Sequence, residues 1–214
     1  LRALSYQIAA RLDMAELATE DRAAHLRFVA LMTPIFKAFA TESGNLMAGT
    51  TIQIFGGMGV IEETGVAQLM RDIRVTTIYE GTTGIQANDL VFRKVIADNG
   101  QGLQELLLEI EADYVKYVAL DMAGSEIELL MQMIRVLRNS VEYIAEQSIE
   151  DRESLFCGAV SFLEMMGVAC SSWMMMRTAV AANTLQEESS DVDYLNNLMA
   201  LSRFYFAHFT PKVL

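Results

Sequence analysis

Residues 154–182 carry apolar side chains on most sides of a helix, and Glu164 and Arg177 are the only charges between 160 and 182. A helix that is apolar all round belongs in the middle of other helices or inside a lipid bilayer. The uninterrupted apolar part is shorter than the ~20 residues a bilayer span requires. The stretch is therefore expected at the centre of a helical bundle, with no membrane span. Composition agrees with a helical chain: 2 Pro and 14 Met occur among 214 residues, and 52% are apolar but only 8% aromatic. Such a chain favours helix over strand and has ample apolar surface to offset the entropy of ordering. An all-α fold follows as the expectation, large enough for one domain or two smaller ones.

Charge narrows the function. With 28 acidic and 16 basic residues the net charge is -12, which repels phosphate backbones and argues against a nucleic-acid partner. Cys157 and Cys170 have neither CxxC spacing nor a neighbouring His, and His25 and His208 stand apart. No metal site is expected from them. Two cysteines in so long a chain read as reduced core thiols of an intracellular, cytoplasmic protein. No secretory leader is legible, because Arg2 and Arg11 bracket a stretch that is not continuously apolar. Leu1, Leu4, Ile8 and Leu12 already follow helical spacing with no capping residue before them, the pattern of a piece excised from a longer polypeptide.

Along the chain, the first helix is expected to loosen at residues 19–21 and to resume near His25. Thr33-Pro34 then reads as a new helix start, with Thr as cap and Pro at the first helical position. Its apolar stripe through Ile35, Phe36, Phe39, Leu46 and Met47 runs towards Ile54, and Gly56-Gly57-Met58-Gly59 ends it. A helical turn at 66–71, an apolar-polar stretch at 73–79 and a helix over 85–97 follow. Asp98-Asn99-Gly100-Gln101-Gly102 is the linker-like cluster, and the charge balance changes there. Nine basic and eleven acidic residues precede residue 99, against seven and seventeen from it onward. Two units are expected, 1–98 and 99–214. The second reads as a bundle of four antiparallel helices. Ser125 to Glu128 forms a capping box that starts its second helix, residues 154–182 form its central helix, and the last begins near Ser190. Its acidic residues fit solvated helix faces, and Met174-Met175-Met176 fits core filling.

Chemistry concentrates between residues 53 and 86. Glu80 precedes Gly81-Thr82-Thr83-Gly84, which opens a helix. Taken alone, that carboxylate reads first as a helix cap, and the glycines at 56–59 lack the G-x-G-x-x-G spacing of a dinucleotide loop. Together the segments say more. Gln53-Ile54-Phe55-Gly56-Gly57-Met58-Gly59, then Met70-Arg71-Asp72, then Ile78-Tyr79-Glu80-Gly81-Thr82-Thr83-Gly84-Ile85-Gln86 closely resemble the C-terminal region of the acyl-CoA dehydrogenases in order, spacing and identity. Leu4-Ser5-Tyr6-Gln7 and Lys37-Ala38-Phe39-Ala40 also look like family helix positions. The resemblance runs from residue 1 to about 94. The acidic bundle after residue 99 more loosely resembles the extra helical domain of the subgroup that includes methylmercaptopropionyl-CoA dehydrogenase.

That resemblance implies an FAD-dependent dehydrogenation of an acyl-CoA thioester to the 2-enoyl-CoA. Glu80 would be the base that removes the α-proton while the β-hydrogen leaves as hydride to the flavin, and it is expected to be partly buried to raise its basicity. Gly81 would contact the substrate, its missing side chain allowing close approach. Thr82, Thr83, Gly84 and Ile85 would lie against the flavin. Gln53, Ile54, Phe55, Gly56 and Gly57 would meet the adenine and pyrophosphate end of a flavin held by a neighbouring subunit of a homo-oligomer. Where this chain has Gly84 the family often has a polar side chain, so that contact would be through backbone alone. Tyr79 is expected to pack. An electron-transferring flavoprotein would be the acceptor. The family's upstream domains, and a helix whose Arg reaches the flavin phosphates, are not in this sequence, so the chain alone is expected to bind FAD weakly or not at all and to be inactive. A related acyl-CoA oxidase and a non-catalytic helical interaction module on the same scaffold are the alternatives.

Overall fold

A computed structural model of the chain describes residues 1–17, 21–119, 124–186 and 191–213. Within them the chain is helical throughout: α1 (Arg2–Leu17), α2 (Arg22–Phe55), α3 (Val66–Arg74), α4 (Thr83–Asn88), α5 (Gln101–Ala119), α6 (Ser125–Glu150), α7 (Ser154–Leu185) and α8 (Val192–His208). Short 3-10 turns join α2 to α3 and α3 to the loop before α4, and no strand occurs among the described residues. The expected break at 19–21 and the start near Ser190 fall largely on residues 18–20 and 187–190, outside the described set.

The helix expected to begin at Thr33-Pro34 is instead the middle of α2, a single helix of 34 residues with Pro34 inside it. Thr33 does not cap; its hydroxyl donates back to the Val29 carbonyl at 2.7 Å. An internal proline costs about 3 kcal/mol. Leu31, Met32 and Ile35, all but fully buried around it, each return roughly 1.5–3 kcal/mol by leaving water, so packing carries the helix through. The end is as the glycines predict, with Gly56 at φ +60 following Phe55.

Other boundaries shift for equally local reasons. The helix expected over 85–97 is α-helical only to Asn88 and continues as a π-helix over Asp89–Ile96. Widening the turn there brings Leu90, Val91 and Val95 into the core together. Gly124, in an extended conformation, takes the cap position before α6, which displaces the capping box expected at Ser125. Residues 98–102 form a tight turn rather than a loose linker. Asp98 accepts from the Gly100 and Gly102 amides at 2.9 and 3.0 Å, and Asn99 and Gly100 adopt positive φ.

The centre of the molecule is α7, as its composition requires. It packs on α1, α2 and α4 as well as on α6 and α8. Trp173, Met166, Cys170 and Leu163 lie in one buried cluster with Met32 and Ile35 from α2 and Leu90 from the π-helical turn. Both α2, with its 3-10 extension to Val60, and α7 are long and apolar enough to cross a membrane by length and composition, contrary to the length argument made from sequence. In the structure 56% of the apolar window of α7 is buried against other helices.

The acidic faces are less solvated than expected. In α5, Glu105 receives a bidentate bond from Arg27, Glu109 pairs with Arg11 at 2.5 Å and Glu111 with Arg138 at 2.7 Å. Asp113 accepts from the buried Trp173 indole at 3.0 Å. The thiols also divide. Cys170 is buried, which pushes it up to about 12, whereas Cys157 is exposed and is no core residue. His25 is not isolated either, since the Arg11 guanidinium lies 3.1 Å from its Nδ1.

Candidate active site

Two helices position the Glu80 turn. After α3, a 3-10 turn over Val75–Thr77 brings the chain back, and the Ile78 and Tyr79 amides both bond the Val75 carbonyl at 3.0 and 3.2 Å. Glu80 then takes φ +58 and Gly81 φ +93. Two successive left-handed residues reverse the chain into α4, whose cap is Thr82: its hydroxyl accepts from the Ile85 amide at 3.4 Å. Glu80 is therefore not the cap, and the structural alternative for it falls away. A non-glycine residue in this conformation costs of order 1–3 kcal/mol and persists only where its surroundings fix it.

Side chains from both helices fix it here. Gln86, one turn into α4, donates to the Glu80 carbonyl at 3.0 Å. Lys37, from the middle of α2, donates to the Gly81 carbonyl at 2.5 Å. Glu42, five residues further along α2, accepts from the Thr83 hydroxyl at 2.5 Å. None of the three roles was assigned from sequence. Gln86 and Lys37 sit inside the motifs that carry the resemblance, but their contacts depend on helix placement.

The Glu80 carboxylate has no partner among the described residues and is exposed. This corrects the expected partial burial, because no element among the described residues covers the outer side of the turn. Tyr79 does not pack as expected either; it is 62% exposed, and Ile78 beside it 55%. Gly81, Thr83 and Gly84 are half-buried, whereas Thr82 and Ile85 face solvent.

Gln53, Ile54, Phe55, Gly56 and Gly57 form a second exposed patch at the far end of α2. The structure does not bring them to Glu80. Eleven residues of helix separate Gln53 from Glu42, about 16 Å at 1.5 Å per residue. Leu46, Met47, Ile54, Phe55 and Met58 are exposed along this end, so this end of the apolar stripe is surface in this chain. Behind it, a groove of about 510 Å³ between α2 and α3 is lined by Met47, Thr51, Leu69 and Ile73. Arg71 of the middle motif forms a bidentate pair with Glu62 at 2.8 and 3.0 Å.

On this turn the Glu80 carboxylate is exposed and accepts no hydrogen bond among the described residues, so a molecule covering it would meet it directly. Comparison with known proteins supplies the context. Residues 1–95 match the sequence model of the acyl-CoA dehydrogenase C-terminal domain, and residues 105–214 match one described as acetyl-CoA dehydrogenase C-terminal like. A 3-methylmercaptopropionyl-CoA dehydrogenase of Ruegeria pomeroyi is 33% identical over 95% of the chain and 35% of its own length. A broad-specificity linear acyl-CoA dehydrogenase of Mycobacterium tuberculosis is 25% identical over 85% of the chain and 31% of its length. A butyryl-CoA dehydrogenase of Syntrophomonas wolfei is 25% identical over 99% of the chain and 36% of its length. The chain thus spans about a third of each of these relatives. It belongs to the acyl-CoA dehydrogenases, as their C-terminal domain continued by the further helical region of the acetyl-CoA dehydrogenase C-terminal-like type.

Proposed function

We propose that the polypeptide containing this chain oxidises an acyl-CoA thioester to the 2-enoyl-CoA, with Glu80 as the base. The observation that carries this reading is the Glu80-Gly81 turn. Glu80 has positive φ, its own carbonyl and that of Gly81 are each anchored by a side chain, and its carboxylate accepts no bond among the described residues, which leaves it open to a substrate. Glu80 takes the proton from Cα of the thioester, and the electrons of that C–H bond move into the new Cα–Cβ double bond. Gly81 admits the thioester close to the backbone. The charge that grows on the thioester oxygen in this step is best met by amides of the same turn.

The exposed and half-buried residues of the two patches fit FAD. Gly56, Gly57 and Gly84 leave open space where a side chain would stand, and Ile54, Phe55 and Ile85 offer uncovered apolar faces beside them. Thr82, Thr83, Gly84 and Ile85 would hold its ring, and Gln53, Ile54, Phe55, Gly56 and Gly57 the distal end of the cofactor. Bound there, FAD supplies the acceptor for the hydrogen that leaves Cβ with its electron pair. Separation of the two patches along α2 supports their serving different flavins in a homo-oligomer, with an electron-transferring flavoprotein as the onward acceptor in the cytoplasm. In this reading residues 1–98 carry the site, and 99–214 form the domain that packs on it.

The test is the complete native polypeptide with an acyl-CoA panel. Glu80→Gln is expected to lower turnover by about 10²–10⁴-fold, the contribution of a positioned base, at unchanged flavin content. Turnover that survives the substitution refutes the base. Stoichiometric oxygen consumption by the unsubstituted protein identifies an oxidase instead.

A further inference from the structure

We infer that Lys37 is a positioning residue for the Glu80 base, acting through the Gly81 carbonyl in concert with Gln86; this rests on the function proposed above. Two successive positive-φ residues leave the peptides on either side of Gly81 free to flip unless their carbonyls are held. Each is held by a side chain from a different element. Gln86 bonds the Glu80 carbonyl from only six residues away, and so moves with the turn. Lys37 reaches the Gly81 carbonyl across 44 residues of sequence, from a helix whose neighbouring Pro34, Ile35 and Ala38 are buried. It ties the backbone of the turn itself to the core helix.

The chemistry of that link matters as much as its position. Lys37 is half-buried and makes no ion pair among the described residues. Its ammonium is directed to a neutral carbonyl, where a charged donor is roughly twice as strong as a neutral one. The carboxylate of Glu80 is left unpaired. Glu42, also from α2, accepts from the Thr83 hydroxyl just after the turn. Thus α2 presents a lysine and a glutamate at 37 and 42 that hold the turn without touching the group that reacts.

In the complete native polypeptide, Lys37→Met is expected to lower kcat by about 10- to 100-fold, the scale of a misplaced reacting group. KM, flavin content and the thermal midpoint are expected to hold. Exchange of the acyl-CoA α-proton in deuterated buffer is expected to slow in parallel, since that step belongs to Glu80 alone. Lys37→Arg keeps a charged donor and is expected to recover most of the loss. Should Lys37→Met fail to fold, Gln86→Leu removes the opposite anchor and is expected to give the same pattern of kcat loss and slowed exchange. A Lys37→Met protein with unchanged kcat and exchange overturns the inference and leaves Glu80 as base. Equal losses of kcat and flavin content that Lys37→Arg does not repair also overturn it. Glu80→Gln with full activity overturns the underlying reading instead.

Discussion

At the residue scale, one position in the turn tolerates no side chain for two separate reasons. Gly81 sits at φ +93, and a Cβ there would lie 2.7 Å from Gln86 Nε2 and 3.3 Å from Ile85 Cγ2. The amide of Gln86 can swing aside, but only by releasing the Glu80 carbonyl. Gly81→Ala is therefore expected to cost about 1–2 kcal/mol of backbone strain, read as a lower urea midpoint, and to lower turnover through the lost anchor. A variant with the stability and activity of the parent would mean that the turn is not locked. Sequence singled out Glu80 and Gly81 as candidates, because identity and spacing survive in the linear order. It missed the role of Lys37, which depends on a contact 44 residues away, and it placed Glu80 in a burial that this chain does not supply.

Elements were legible in proportion to how much of their own face decides them. The all-round apolarity of α7 placed it centrally because, among other helices, only a central position keeps that surface dry. The single span of α2 was not legible, since Thr33-Pro34 is a sound local start signal overridden by the burial of Leu31, Met32 and Ile35. Nor was the π-helical turn at Asp89–Ile96, where apolar spacing alone does not distinguish a wider turn from an ordinary one. The contact of α7 with α2 shows what tertiary packing adds. A Cβ on Gly167 would stand 2.6 Å from Phe39 Cδ2 and 3.0 Å from Phe39 Cβ. Turning the ring would move Cδ2 away, but Phe39 Cβ is bonded to its backbone and stays close, so the two helices would have to give. Gly167→Val is expected to destabilise the chain by about 1–3 kcal/mol, as overpacking of a close contact does, with helix content by circular dichroism retained below the transition. If its thermal midpoint matches the parent, α2 and α7 do not approach as described.

For the whole molecule, the uneven charge read from sequence becomes a means of attachment. Arg11 of α1 and Arg27 of α2 reach across to Glu109 and Glu105, one turn apart on α5, so the less acidic segment is tied to the more acidic one by opposite charges. The Arg27 guanidinium, hydrogen-bonded to Glu105, holds that carboxyl below its ordinary value of 4.5, and Gln101 adds a second donor. A carboxylate depressed in the folded state contributes stability wherever it is ionised in both states, that is above 4.5, and the contribution is lost as pH falls below that value towards the depressed one. Both side chains are about a third exposed, so water and salt screen much of the attraction. Glu105→Gln is therefore expected to lower the urea midpoint modestly at pH 7 and to shift it less in high salt. Because the substituted side chain cannot titrate, the gap between variant and parent is expected to close as pH is lowered through 4.5 and below. A gap that stayed constant from pH 7 to pH 3 would assign the loss to packing of the Glu105 stem rather than to its charge. A gap that widened on acidification would reverse the sign of the linkage and remove Arg27–Glu105 from the forces that join α2 to α5.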